Sequence, residues 1–285
     1  MKKSKFYDKI YQIIRKETGA EKAGDKRVQK EKRVEKAMEK KTAPGAESGG
    51  EAAELRLRQI AHIECDLPTK FGVPRQSGFC DLLRSVIVFE KEYRRPEALR
   101  GIEGYSHLWL LWLFSESIRE DWSPTVRPPR LGGNTRMGVF ATRSPFRPNP
   151  IGLSAVKLLG VEHTPDRGDV LIVGGADLID GTPILDIKPY LPFADCRPDA
   201  VGGFADGVKD RRLSVSDPQG FAAVFGEEKR AALIEILAQD PRPSYQEDLE
   251  RVYGFPFAGK EIRFRVRDGE AEIVGITADA PNEMR

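Results

Sequence analysis

From residue 55 to about 190 the apolar residues come in short runs separated by glycine and proline. LLRSVIVFE (82–90), HLWLLWLF (107–114), MGVFAT (137–142), GLSAVKLLGV (152–161) and DVLIVGGA (169–176) are rich in Val, Ile, Leu and aromatics. Runs of that length and composition predict strands. Strands alternating with long helices are not evident, which disfavours a doubly wound parallel sheet and favours an antiparallel barrel or sandwich. Further on, EEKRAALIEILAQ (227–239) has acids at its start and an apolar set at Leu233, Ile234 and Leu237. It predicts a helix stopped by DPRP (240–243), because proline cannot continue one. KEIRFRVRDGEAEIVGI (260–276) predicts a hairpin turning at Asp268-Gly269, with Arg263, Arg265 and Arg267 on one face, either the wet side of a strand or a second basic surface.

The first 54 residues differ in texture. Phe6, Ile10, Ile13 and Ile14 fall at helical spacing, and the charged stretch EKAGDKRVQKEKRVEKAMEKK (21–41) carries Glu/Lys pairs that support a solvated helix. TAPGAESGGEAAE (42–54) is a linker by composition. The pattern thus divides the chain into an extension (1–54), a mostly β core (55–195) and a smaller α+β unit (196–285).

Composition narrows the picture. With 285 residues, 40% of them hydrophobic, the chain can bury a sizeable core. No run of about 18 apolar residues is present, so no membrane span is expected. The N-terminus lacks the apolar centre of a secretory signal. Cys65, Cys80 and Cys196 lack zinc or redox spacing and read as three reduced cytoplasmic thiols. The net charge of +2 hides a division: residues 1–54 carry +5, 55–190 carry +2 and 191–285 carry −5. The chain as a whole is therefore no basic nucleic-acid binder, and the place where positive charge collects matters more.

It collects in WSPTVRPPRLGGNTRMGVFATRSPFRPNPIGLSAVKLLGV (122–161), forty residues without Asp or Glu but with Arg127, Arg130, Arg136, Arg143, Arg147 and Lys157. Six prolines stiffen the run, and Trp122 and Phe146 stand among the arginines. Guanidinium forks suit phosphate and carboxylate, and aromatics among them suit stacking on unpaired bases. A second cluster is acidic: Asp177, Asp180 and Asp186 in GADLIDGTPILDIKPY (175–190). Asp180, in an Asp-Gly-Thr-Pro turn, either handles a proton or closes its own turn. His107 heads an apolar run and is either a competitor for that role or a satisfied structural histidine. The sequence contains no Walker loop, no G-x-G-x-x-G, no H-E-x-x-H and no G-x-S-x-G, and three histidines make a multi-histidine metal site improbable, so no metal is expected.

KFGVPRQSG (70–78), GYSHLWLLWLF (104–114), VRPPRLGGNTRMGVFATRSPFRPNPIGLS (126–154) and DLIDGTPILDIKPYLPFAD (177–195), in that order, resemble the TsaA/TrmO family. The likeness runs from about residue 57 to 195 and more loosely through LAQDPRPSY (237–245) to the C-terminal hairpin. It implies a small non-Rossmann β-barrel methyltransferase, homodimeric and cytoplasmic. Its methyl donor would be S-adenosyl-L-methionine, and its acceptor N6 of threonylcarbamoyladenosine beside the anticodon of tRNA. By resemblance Pro74, Arg75, Gln76, Phe114, Ser115, Arg143, Leu153, Gly174, Gly175, Ala176 and Asp177 line the cofactor site. Arg143 would neutralise the methionyl carboxylate, leaving Arg127, Arg130, Arg136 and Arg147 for RNA or substrate. Asp180 or His107 would then orient or accept the N6 proton. A different acceptor, or a non-catalytic RNA-binding homologue, are the alternatives.

Overall fold

The computed structural model describes residues 56–128, 131, 135–207, 212–242 and 248–278. The amphipathic and charged stretches expected before residue 55, and Arg130, lie outside them. Eight strands come first: β1 (Ala61–Cys65), β2 (Arg84–Phe89), β3 (His107–Leu113), β4 (Thr125–Val126), β5 (Met137–Gly138), β6 (Ile151–Thr164), β7 (Gly168–Gly174) and β8 (Pro183–Pro189). Six of them close an antiparallel barrel in the order β1-β2-β7-β6-β3-β8. The expected mostly β core is thus a barrel and not a sandwich.

Alternation explains the barrel interior. Along β3, Leu108, Leu110 and Trp112 are buried while His107, Trp109 and Leu111 alternate with them. The inward side chains meet Ala61, Ile63, Ile87, Phe89, Val156, Leu171, Val173 and Ile184 in one core. Period-2 patterning fixes this register, because a slip of one residue would expose the whole apolar set. β8 returns to pair with both β3 and β1, and that pairing closes the cylinder and removes its edges.

One expected strand is different. Within MGVFAT only Met137–Gly138 is extended, and Val139–Ala141 forms a 3-10 turn. Arg147 causes this: its guanidinium donates to the Ser144 (2.9 Å), Val139 (3.2 Å) and Thr142 (2.5 Å) carbonyls and winds the segment around itself. β4 and β5 pair only with each other, as a two-residue ribbon.

The C-terminal part has helix α1 (Glu227–Ala238) and strands β9 (Ser214–Ser216), β10 (Val252–Phe257), β11 (Lys260–Arg267) and β12 (Glu270–Ala278). The sheet order is β10-β11-β12-β9, with β9 parallel to β12. The β11–β12 hairpin turns at Asp268 and Gly269, both at positive φ as a tight primed turn requires. Arg265 and Arg267 are paired with Glu272 and Glu250, so the arginine face of β11 is largely a neutralised strand surface.

A second core joins this sheet to a segment of the barrel half. Leu67, Cys80 and Leu83, from the β1–β2 connection, are buried with Leu233, Ile236, Phe255, Phe257 and Phe264. Phe71 lies edge-on to Phe255, with centroids 6.1 Å apart, and is stacked with Phe264. Gly72, at φ 98°, backs directly onto the Phe255 ring, and a Cβ there would strike it. Gly72→Ala therefore combines backbone strain with overpacking, and a loss of about 1–3 kcal/mol is expected in denaturant unfolding. The three thiols are free. Burial pushes Cys65 up to about 12 and raises Cys80 as well, while Cys196 is exposed. A thiol reagent at about pH 8 is expected to label Cys196 rapidly and the other two only as the fold opens, a pattern read by mass spectrometry of the native protein.

Candidate active site

At one end of the barrel, where β3 ends and β6 begins, lies a cavity of about 540 Å³. This is within the range of roughly 300–1,000 Å³ typical of small-molecule sites. Four chain segments build its wall: the β1–β2 connection (Lys70, Val73–Gln76), the end of β3 with its following turn (Trp112–Ser117), the Pro-rich loop and start of β6 (Arg143, Pro145, Arg147, Ile151–Leu153), and Asp177–Ile179 with Thr182.

Each segment is held for a physical reason. Pro74 is buried and fixes its own φ, giving the loop a stiff base. Arg75 reaches into the C-terminal part and donates to the carbonyls of Asp240 (3.1 Å) and Arg242 (2.9 Å). Asp240 in turn grips the Arg242 guanidinium with both carboxylate oxygens, at 2.8 and 2.9 Å. The Gln239 amide donates to Phe79 O, a further tie between the same two segments. Gln76 accepts from Arg143 at 2.5 Å, which places a half-fixed cation on the cavity wall. Lys70 closes another side by donating to Glu116 O (2.6 Å) and Ser117 Oγ (2.9 Å).

The fourth segment delivers the carboxylate. Gly174 and Gly175 are buried against the β1–β2 connection: Gly175 sits at φ 77° and accepts Gly78 N–H at 2.9 Å. A side chain at Gly174 would meet the Asp81 carbonyl. These glycines and Ala176 do not line the cavity; their close packing carries Asp177 into it. The Asp177 Oδ1 accepts the Ser154 hydroxyl at 2.5 Å, and Ser154 Oγ accepts the Trp112 indole N–H at 2.9 Å. Burial pushes the Asp177 carboxyl above the ordinary carboxylate range, against the lowering effects of the Ser154 bond and the nearby Arg143 charge.

The structure thus brings Pro74, Arg75, Gln76, Phe114, Ser115, Arg143, Leu153 and Asp177 around one cavity, with Arg147 beside them. Asp180 and His107 are not on its wall. Asp180 Oδ1 accepts the Cys65 backbone N–H at 2.9 Å and its own N–H donates to Leu67 O, so the residue closes a turn between strand ends. His107 is exposed at the opposite end of β3, beside Ser106 (2.9 Å) and Tyr190. Arg147 donates through Nε and Nη2 to its own loop, Arg136 donates to Thr125 Oγ1 at 2.9 Å, and Arg127 is exposed on β4's flank. Lys70, Trp112 and Ser154 escape a motif reading. Strand parity alone points to Ser154, the polar residue between inward Gly152 and Val156.

Comparison with known proteins matches two regions of the chain. The family model for the N-terminal domain of tRNA-methyltransferase O matches residues 62–196, and that for the TrmO C-terminal domain matches 225–279. The chain belongs to the tRNA-methyltransferase O family. An Escherichia coli relative named tRNA (adenine(37)-N6)-methyltransferase is 41% identical over 232 residues, 79% of this chain and 98% of its own. An Archaeoglobus fulgidus protein named S-adenosyl-L-methionine-binding protein is 37% identical over 140 residues, 49% of this chain and 92% of its own. A crystal structure of Pseudomonas aeruginosa TrmO superposes with a TM-score of 0.66 at 32% identity, covering 81% of this chain and all of that one. In this TrmO-family chain, both matched regions meet at the Arg75 contact. Arg75→Ala should raise amide exchange at 74–80 and 239–242 together, by about tenfold or more, and leave β3 and β6 protected. Hydrogen exchange with peptide-level readout checks this.

Proposed function

We propose that this protein transfers a methyl group from S-adenosylmethionine to N6 of the adenine at tRNA position 37, the acceptor being threonylcarbamoyladenosine in the anticodon loop. The observation that carries the reading is the pairing, in one cavity, of a cation held by Gln76 with a half-buried carboxylate at Asp177. Relatives named for adenine-37 N6 methylation and for binding the donor support it.

The residues present fit the donor. Arg143 offers an exposed guanidinium for a carboxylate, in the bidentate manner arginine favours. The Trp112 and Phe114 rings, 4.2 Å apart between centroids and tilted by 58°, with Ile151 and Leu153, supply apolar and aromatic wall for an adenine. Asp177 supplies negative charge that favours a sulfonium over its neutral thioether product. When bound, the donor supplies an electrophilic methyl group. The chain's own contribution is alignment, exclusion of water and care of one proton. Arg136 and Arg127, exposed on the ribbon of β4 and β5, are placed to meet phosphate or the acceptor's threonyl carboxylate. The homodimeric, cytoplasmic state implied by the resemblance is part of this reading.

The test uses labelled donor and two tRNA pools, one carrying and one lacking threonylcarbamoyladenosine, followed by nucleoside mass analysis. Label on N6 of that nucleoside, in the first pool only, is the expected result. Label in both pools would leave a broader adenine methyltransferase. Arg143→Ala should weaken donor affinity by about 10-fold or more, the scale of a hydrogen bond to a charged group, with tRNA affinity within about twofold. Equal loss of both would reassign Arg143 to RNA.

A further inference from the structure

With Asp180 and His107 off the wall, the acceptor's proton needs another destination. N6 of the proposed acceptor carries one hydrogen, flanked by the purine and a carbonyl. Once a third carbon is attached, the nitrogen cannot keep that hydrogen without a costly positive charge. Among the described residues, two carboxylates line the cavity, Asp177 and Glu116. Glu116 is exposed at the rim, where its backbone carbonyl anchors Lys70. Asp177 is the enclosed one.

The hydrogen bonds behind Asp177 have only one possible direction. An indole N–H donates and never accepts, so Ser154 Oγ must be the acceptor from Trp112. The single hydroxyl hydrogen of Ser154 is then free to point only at Asp177 Oδ1, 2.5 Å away. Ser154 is fully buried and Trp112 nearly so, so no solvent competes for either group. Trp112 is fixed too: its cross-strand neighbour is Gly152, and the indole lies where a Cβ of that residue would be. Backbone N–H groups of Ser77 and of Asp177 itself also face the carboxyl. A carboxylate held this way keeps its orientation and retains lone pairs that only accept.

We propose that Asp177 is the catalytic proton acceptor, and that Trp112 and Ser154 are positioning residues that aim it. This rests on the methyltransferase reading above. In the step, the N6 lone pair forms the new C–N bond while the sulfonium S–C bond breaks, its electron pair staying on sulfur. The N6–H bond electrons remain on nitrogen and the proton passes to the Asp177 carboxylate, which later releases it to solvent. Among the described residues, the charged groups that share the cavity are Arg143, Arg75, Lys70, Arg147 and Glu116, and of these Arg143 acts on the Asp177 charge.

The isosteric variant Asp177→Asn can still accept from Ser154 but cannot take a proton. At saturating donor it should lower kcat for tRNA methylation by about 10²–10⁴-fold, the usual range for a lost general base, while the missing charge weakens donor affinity by no more than about tenfold. A second readout needs neither donor nor tRNA: the Asp177 carboxyl, followed by carbon NMR in the free protein. Ser154→Ala removes a hydrogen bond to the charged form, so this carboxyl should titrate at higher pH than in the wild type. The acid limb of the kcat profile should move the same way, because the ionised form is the active one. Near-normal kcat in Asp177→Asn overturns the proposal. So does a loss of donor affinity that accounts for the whole loss of rate, with kcat at saturating donor unchanged, which would make donor binding the sole role of Asp177. An unchanged Asp177 titration in Ser154→Ala overturns the positioning part. Failure of the wild type to methylate either tRNA pool overturns the underlying reading and this one with it, a result distinct from full activity in Asp177→Asn.

Discussion

The segment between β1 and β2 leaves the barrel to join the core of the C-terminal sheet, and the site depends on that anchoring. Leu67, Cys80 and Leu83 are buried among side chains of α1 and the C-terminal sheet, and Gly72 lies flat on Phe255. Between those anchors the chain presents Val73 to Gln76 to the cavity. A loop of this length on a barrel rim would ordinarily be the most mobile part of the structure. Here both ends are pinned by apolar burial and the middle by Arg75, whose donors reach the carbonyls that follow α1. The C-terminal part thereby acts on the site without lining it.

Electrostatics complete what packing begins. The cavity sets Arg143 and Asp177 in one enclosure but gives each its own partners, Gln76 for the cation and Ser154 for the carboxylate. A direct ion pair would satisfy both charges and leave neither for a ligand. Separate neutral partners orient the two charges and keep their outward faces open. That arrangement favours a ligand with its own carboxylate and its own cationic centre, which is the chemistry of the proposed donor.

Much of this is legible in the sequence, and the failures have physical causes. The alternation in HLWLLWLF fixes β3 and its inward Trp112, and the Asp-Gly turn fixes the last hairpin. PILDIKP does not read as a strand, because only Ile184 is fully buried and Asp186 and Lys188 pair with each other on the surface. MGVFAT reads as one, because no local signal announces that Arg147 will gather its carbonyls. The candidate site was half visible for the same reason. Prolines and arginines in peculiar strings mark the wall, whereas Ser154 and Lys70 act through partners about 25 to 50 residues away in the chain, which no local pattern displays.

Asp177 and Asp180 show how narrow the difference can be. Both lie in GADLIDGTP, and by residue type either could receive a proton. The strand end decides between them. Buried Gly174, Gly175 and Ala176 continue β7 inward and deliver Asp177 to the cavity, whereas the turn that follows faces Asp180 toward the N–H of Cys65. From Asp177 the constraint runs backward through the fold: Ser154 must donate, so Trp112 must occupy its oxygen, so residue 152 must leave room for an indole. A glycine on one strand, a tryptophan on the next and a buried serine two residues along form a single device, and its purpose is visible only at the carboxylate where it ends.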